Sequence, residues 1–233
     1  MAEMDIQLIP YDEMLKSGMH FGRKKTVFNP GMGSYVFTVR DGICIIDLIK
    51  TQDRLKAAVD YLRKTLQEGK LVLFVAPTKQ SRESTLALAK ALGMPYVLDR
   101  WIGGTLTNYK IINGRVKRLE EMERQKETGE LDKYTKKERL LFDRELAKMS
   151  RSFDGLKKLT RMPDVVFLSS LREGQLALRE ARKMKIKVIS IANTDANPLG
   201  VTCVIPANDR SKKSVDLIID IVRKELSSSE THA

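Results

Sequence analysis

The feature that most constrains this chain is a set of apolar runs, each too short to be a buried helix. They are LVLFVA at residues 71–76, DVVFLSS at 164–170 and KVISIA at 187–192. A run that is apolar at nearly every position leaves no face for water, so a strand built from it must be covered on both sides. Helical patterns separate these runs. Ile49–Glu68 places Leu55, Ala58, Val59, Leu62 and Leu66 close to a 3.6-residue period and is closed by Gly69. Ser81–Leu92, Gly174–Met184 and Lys212–Leu226 read as further helices, GICIIDL at 42–48, Met94–Leu98 and TCVIPAN at 202–208 as further strands. Strands alternating with helices imply an α/β class protein with a parallel sheet flanked by helices.

The alternation stops between about Leu106 and Thr160. Ile112, Val116, Leu119 and Met122 lie on one stripe, and Phe142, Leu146, Met149, Phe153 and Leu156 step by four and three. A charged connection with Gly129 joins the two, and Thr135–Glu138 matches a capping box. The reading is an inserted antiparallel coiled-coil hairpin whose seam closes on itself and not on the sheet. The expected organisation is therefore an N-terminal arm with a short helix at 1–36, an α/β domain at 37–105 and 161–226, the hairpin at 106–160, and a disordered polar tail at 227–233. Within the arm, GMHFGRKKTVFNPGMGSY reads as an ordered loop.

Charge speaks to partners. Forty-two Lys and Arg against thirty Asp and Glu leave a formal charge of +12, which favours a polyanion. No apolar run reaches the length of about 18 residues that spans a bilayer, and no signal-peptide pattern opens the chain, so a cytoplasmic location and no membrane partner are expected. Cys44 and Cys203 each sit in an apolar run and read as buried free thiols.

Catalytic tools are sparse. There is no P-loop, and Gly31-Met-Gly33 lacks both the third glycine and the preceding strand of a dinucleotide site. The only histidines are His20 and His232, and no C-x-x-C, H-E-x-x-H or G-x-S-x-G occurs. No catalytic residue, metal, cofactor or small-molecule substrate is expected. A nucleotide-dependent enzyme and a membrane-surface protein are the competing classes, and each lacks its signature.

Binding chemistry is better represented. Arg23, Lys24 and Lys25 are interleaved with His20, Phe28 and Asn29. Cations neutralise phosphates, rings stack on unpaired bases, and amides read base edges. A second cluster comprises Arg100, Trp101, Thr105, Thr107, Asn108 and Lys110, and continues into Arg115 and Lys117 on the first hairpin helix. Trp101 is either a stacking surface or a core residue, and the basic triplet either a phosphate site or a solvated loop. Two such clusters on a basic chain point to RNA.

At these clusters the sequence resembles the bacterial-type small-subunit ribosomal protein S-two family. GMHFGRKK, FNPGMGSYVF, RWIGGTLTNYKII, MPDVVFLSS, REARKMKIKVISIANTDANP and VIPANDR fall in the family's order, from about Met14 to Val222. The resemblance implies a flavodoxin-like sheet with a coiled-coil insertion. It also implies binding of small-subunit ribosomal RNA between head and body, neighbouring ribosomal proteins as partners, and help in docking ribosomal protein S-one. Arg23 stands where relatives often have a second His, and Phe28 where they have Trp. Asn193 and Asn197 stand where many have acids, which bears on any metal or S-one contact that uses those carboxylates.

Overall fold

The computed structural model describes residues 8–227, apart from the side chains of Glu130 and Asp132. Residues 1–7 and nearly all of the expected disordered tail lie outside the described residues. A short helix α1 (Tyr11–Lys16) is followed by strands β1 (Phe21–Lys24), β2 (Val36–Arg40) and β3 (Ile43–Ile46) and the long helix α2 (Leu48–Gln67). Then come β4 (Val72–Val75), α3 (Arg82–Ala91), β5 (Tyr96–Val97), α4 (Tyr109–Glu127) and α5 (Lys136–Phe153). The chain closes with β6 (Val165–Leu168), α6 (Gln175–Lys183), β7 (Lys187–Ala192), β8 (Cys203–Pro206) and α7 (Lys212–Ser227).

Five strands form one parallel sheet in the order β5-β4-β6-β7-β8. The first of them in sequence, β4, lies between the second and the third, which is the flavodoxin-like order with its switch point between β4 and β6. Alternation along each strand sorts side chains to two faces. Phe74, Phe167, Ile189, Ile191 and Ile205 join the apolar layer that holds Leu55 and Leu62 of α2, Leu88 of α3 and Ile218 of α7. Leu73, Val75, Val166, Leu168, Val188 and Val204 join the opposite layer with Ala177 and Ala181 of α6. All of these are buried, and truncating either facing ring, Phe74 or Phe167, to Ala would cost about 3–5 kcal/mol.

The strand expected at 42–48 exists, but β3 is not part of the parallel sheet. It is the centre of a separate antiparallel sheet, β1-β3-β2. The β2–β3 turn is Asp41-Gly42, with φ of 49° and 74°, the two-residue hairpin that Asp-Gly favours. The basic segment read as a loop is thus partly strand: the amide of Lys25 donates to the carbonyl of Gly42 at 2.8 Å, and that of Ile46 to the carbonyl of His20 at 2.8 Å.

Both hairpin helices are present and pack on each other, and the Thr135–Glu138 capping box forms. The seam does not close on itself at its base, however. Ile112, Val116, Leu119 and Phe153 belong to the same apolar layer as Val75, Val97 and Leu168. Farther out, Leu146 and Met149 are half-buried, and Leu140 and Leu141 are 51% and 55% exposed. The near half is core. The expectation of a seam independent of the sheet fails because periodicity reports a buried stripe but not what covers it.

Candidate nucleic-acid interface

The first cluster sits on the small sheet, which is docked onto the carboxyl end of β7. Gly22 makes this possible: a Cβ there would lie 2.6 Å from the carbonyl oxygen of Cys44 and 2.7 Å from Cγ2 of Thr194. Beside it, the Arg23 amide donates to Thr194 Oγ1 at 2.8 Å, and Arg23 Nε donates to Asp195 Oδ2 at 3.0 Å. Asp195 is nearly enclosed, with a side chain 1% exposed, and Arg172 pairs with it as well. Arg23 is therefore committed to holding two parts of the molecule together. Lys24 and Lys25 are exposed.

His20 is half-buried, its ring centroid 4.0 Å from that of Phe21, and burial holds its imidazole below the usual range. Phe28 is half-buried and packs against the inner apolar layer. Asn29 Oδ1 accepts from the Gly31 amide at 2.9 Å, and the Asn29 backbone N–H donates to the carbonyl of Thr194 at 2.9 Å. Of the residues read as an RNA site here, the two lysines are free for a partner, while Arg23, Phe28 and Asn29 brace the platform beneath them.

The second cluster is organised by a residue that sequence reading missed. Glu180 of α6 is buried, and its carboxylate is the hub of the Arg100–Asn108 loop. Oε1 accepts from Trp101 Nε1 at 3.0 Å and from the Gly104 amide at 2.8 Å. Oε2 accepts from the amides of Leu106 and Thr107 at 3.0 and 3.2 Å and from the Thr107 hydroxyl at 3.3 Å. Burial alone would raise this carboxyl's pKa, but the bonds from Trp101 and the three amides outweigh it and hold the group below its ordinary value. Trp101 is 5% exposed and so resolves as a core residue whose polar edge is satisfied; it offers no face to a base. Thr105 is buried too, and its hydroxyl donates to the carbonyl of Ile102 at 2.6 Å. Arg100, Thr107, Asn108, Lys110, Arg115 and Lys117 remain exposed around this pinned loop. The detectable signal was Glu180 itself, a charge on the α6 stripe that also buries Ala177, Leu178 and Ala181. A buried charge implies dedicated partners.

In doubly wound proteins ligands occupy the crevice at the carboxyl ends of the strands. Here that crevice is filled by the chain's own polar groups. Ser169 Oγ meets Ser81 Oγ at 2.7 Å, Ser170 Oγ donates to Asp209 Oδ2 at 2.7 Å, and Asn193 Nδ2 donates to Asp209 Oδ1 at 3.2 Å. What remains is a cavity of about 290 Å³ in which Arg23, Arg172 and Arg210 are balanced by Glu173, Asp195 and Asp209. Both cysteines are free and buried. Among the described residues no group of three or more His, Cys, Asp or Glu is placed to hold a metal ion, and no helix is long and apolar enough to cross a membrane.

The fold and this surface define a class: a basic, flavodoxin-like α/β scaffold that fills its own ligand crevice and carries its free cations outside it. A family model described as Ribosomal protein S2 matches residues 14–228. The small ribosomal subunit protein uS2 of Francisella philomiragia is 41% identical over 203 residues, covering 87% of this chain and 85% of that protein. Its counterpart in Francisella tularensis subsp. novicida is 40% identical with the same coverage. That of Parabacteroides distasonis is 36% identical over 214 residues, 92% of this chain and 77% of that protein. The chain belongs to the ribosomal protein S2 family, a family of ribosomal proteins and not of enzymes.

Proposed function

We propose that this protein is a structural constituent of the small ribosomal subunit in the cytoplasm, where it binds small-subunit ribosomal RNA between head and body. Family membership supports the setting. The single observation that carries the RNA reading is the division of labour among the basic residues. Arg23 is spent on Asp195, while Lys24, Lys25, Arg100, Lys110, Arg115 and Lys117 stand exposed on segments braced by Asp195 and Glu180. Braced cations bind phosphates with little loss of side-chain and loop entropy. Association with other small-subunit proteins and help in docking ribosomal protein S-one belong to the same proposal. Any docking surface would exclude Asn193, which is buried and bonded to Asp209, and could include Asn197, which is exposed and accepts from the Leu199 amide at 3.0 Å.

The test is filter binding of the full chain to purified small-subunit ribosomal RNA across a salt series. Six phosphate contacts would give a log–log slope of about −4 to −5. A slope near zero, or no binding, would overturn the RNA reading.

A further inference from the structure

The hairpin rejoins the sheet through a point with no room to spare. α5 ends at Phe153, and a 3-10 turn, Asp154–Leu156, brings the chain back against β5. β5 is an edge strand, paired only with β4. The carbonyls of Pro95 and Val97 face β4, accepting from the amides of Phe74 and Ala76 at 3.1 and 2.8 Å. The carbonyl of Tyr96, between them, therefore faces outward. Gly155 is buried directly on it. A Cβ at Gly155 would overlap the Tyr96 carbonyl oxygen and ring carbon Cδ2 and lie 2.6 Å from Cε2. The backbone of Gly155 is not in the left-handed region, so glycine serves here for space and not for a turn.

Anchors surround this seat. On either side of it Phe153 and Leu156 are buried in the apolar layer that holds Val75 and Val97. Asp154 accepts from the Tyr96 hydroxyl at 3.3 Å and from Lys157 Nζ at 2.7 Å, and the same Nζ donates to Glu123 of α4 at 2.8 Å. At the other root of the hairpin, the hydroxyl of Tyr109, the first residue of α4, donates to the carbonyl of Leu159 at 2.6 Å. β5, α4 and the exit of α5 thus meet in one place, while Lys133, Lys136 and Lys137 stand exposed at the far end.

We infer that Gly155 is a positioning residue: its seat on Tyr96 is a fixed pivot that sets the direction of the hairpin and so where the far-end cations stand. The magnitude follows from leverage. The methyl of Gly155→Ala must open the seat by about 1 Å to reach van der Waals contact. With α4 held through Tyr109 and packed helices about 9 Å apart, that opening tilts the hairpin by about 6°. α4 has 19 residues and is about 28 Å long, so its far end moves about 3 Å. The pivot is read by distance alone; that the displaced cations meet RNA rests on the reading above.

The experiment puts one spin label on Lys137→Cys and the other on a reference site, Lys64→Cys of α2 or Lys183→Cys of α6, all exposed positions in the full chain. The chain without added cysteines, whose Cys44 and Cys203 are buried, is labelled in parallel as the blank. Pulsed electron–electron double resonance gives one narrow distance from each reference site, and Gly155→Ala shifts at least one by up to about 3 Å. Gly114→Ala makes the same change within α4 at a site with open space around it and leaves both distances unchanged. A folded Gly155→Ala protein with both wild-type distances, or a broad distribution in the wild type, overturns the pivot. Should Gly155→Ala fail to fold by circular dichroism, Asp154→Asn/Lys157→Gln decides. Loss of those polar ties broadens the distribution, and an unchanged width overturns the pivot. In filter binding to small-subunit ribosomal RNA, Gly155→Ala binds more weakly than Gly114→Ala, with a log–log slope flatter by about 1 or more. Shifted distances with equal RNA binding overturn the positioning role. Absence of salt-dependent binding by the wild type overturns the RNA reading and leaves the pivot to be decided by the distances.

Discussion

Replacing Glu180 by Gln changes one oxygen and tests whether a buried carboxylate shapes the second basic cluster. Each carboxylate oxygen faces at least two N–H donors, Trp101 and Gly104 on Oε1, Leu106 and Thr107 on Oε2. Whichever oxygen becomes NH₂, two donors lose their acceptor and meet another donor. An orphaned buried donor costs about 1–3 kcal/mol, so the substitution costs about 2–6 kcal/mol. At a central value near 4 kcal/mol, a chain of this size loses roughly 8–16 °C in Tm. Glu173→Gln, an exposed neighbour, serves as the control and stays within about 0.5 kcal/mol. The folded-state pKa of Glu180 lies below its ordinary 4.5. Its contribution is therefore complete above the unfolded value and is lost as pH falls through the lower folded value, so the gap between wild type and variant narrows in that acid window. Differential scanning calorimetry at pH 7 and at decreasing pH measures both effects. A Glu180→Gln protein that melts within 1 °C of wild type at pH 7 (about 0.5 kcal/mol or less) would refute the hub.

Two further outcomes follow from the packing. Arg23→Ala costs about 1–3 kcal/mol in urea titration, because buried Asp195 keeps only Arg172, whereas Lys24→Ala/Lys25→Ala stays within about 0.5 kcal/mol and weakens RNA binding instead. Replacing residues 113–155 by a Gly/Ser link removes most of the folding stability in urea titration followed by circular dichroism, since it takes away buried Val116, Leu119, Met122 and Phe153, worth about 6–12 kcal/mol against a total stability of about 5–15 kcal/mol. Replacing only 127–142 leaves a folded protein, because none of the described side chains there is buried and the flanking Lys126 and Asp143 already touch at 2.7 Å.

The local alphabet of this chain was readable without coordinates. Val72–Val75 and Val165–Leu168 could only be doubly covered strands, α2 announced its buried face through Leu55, Ala58, Val59 and Leu62, and Thr135 and Glu138 marked the start of α5. Those signals survive in sequence because they come from periods of two and 3.6 residues and from a cap whose partners lie three residues apart. The Asp41-Gly42 turn is legible as a hairpin signal, but the pairing of β1 with β3 across about 20 residues is set by the fold. Tertiary structure alone decided which cations are free. Arg23 and Asp195 lie 172 residues apart, Trp101 and Glu180 79 apart, and Asp99 and Arg151 52 apart. An arginine spent on a buried carboxylate looks the same in sequence as one left for a phosphate. The difference is set by the fold, which brings distant residues within 3 Å and, around Asp195 and Glu180, removes the water that would otherwise screen them.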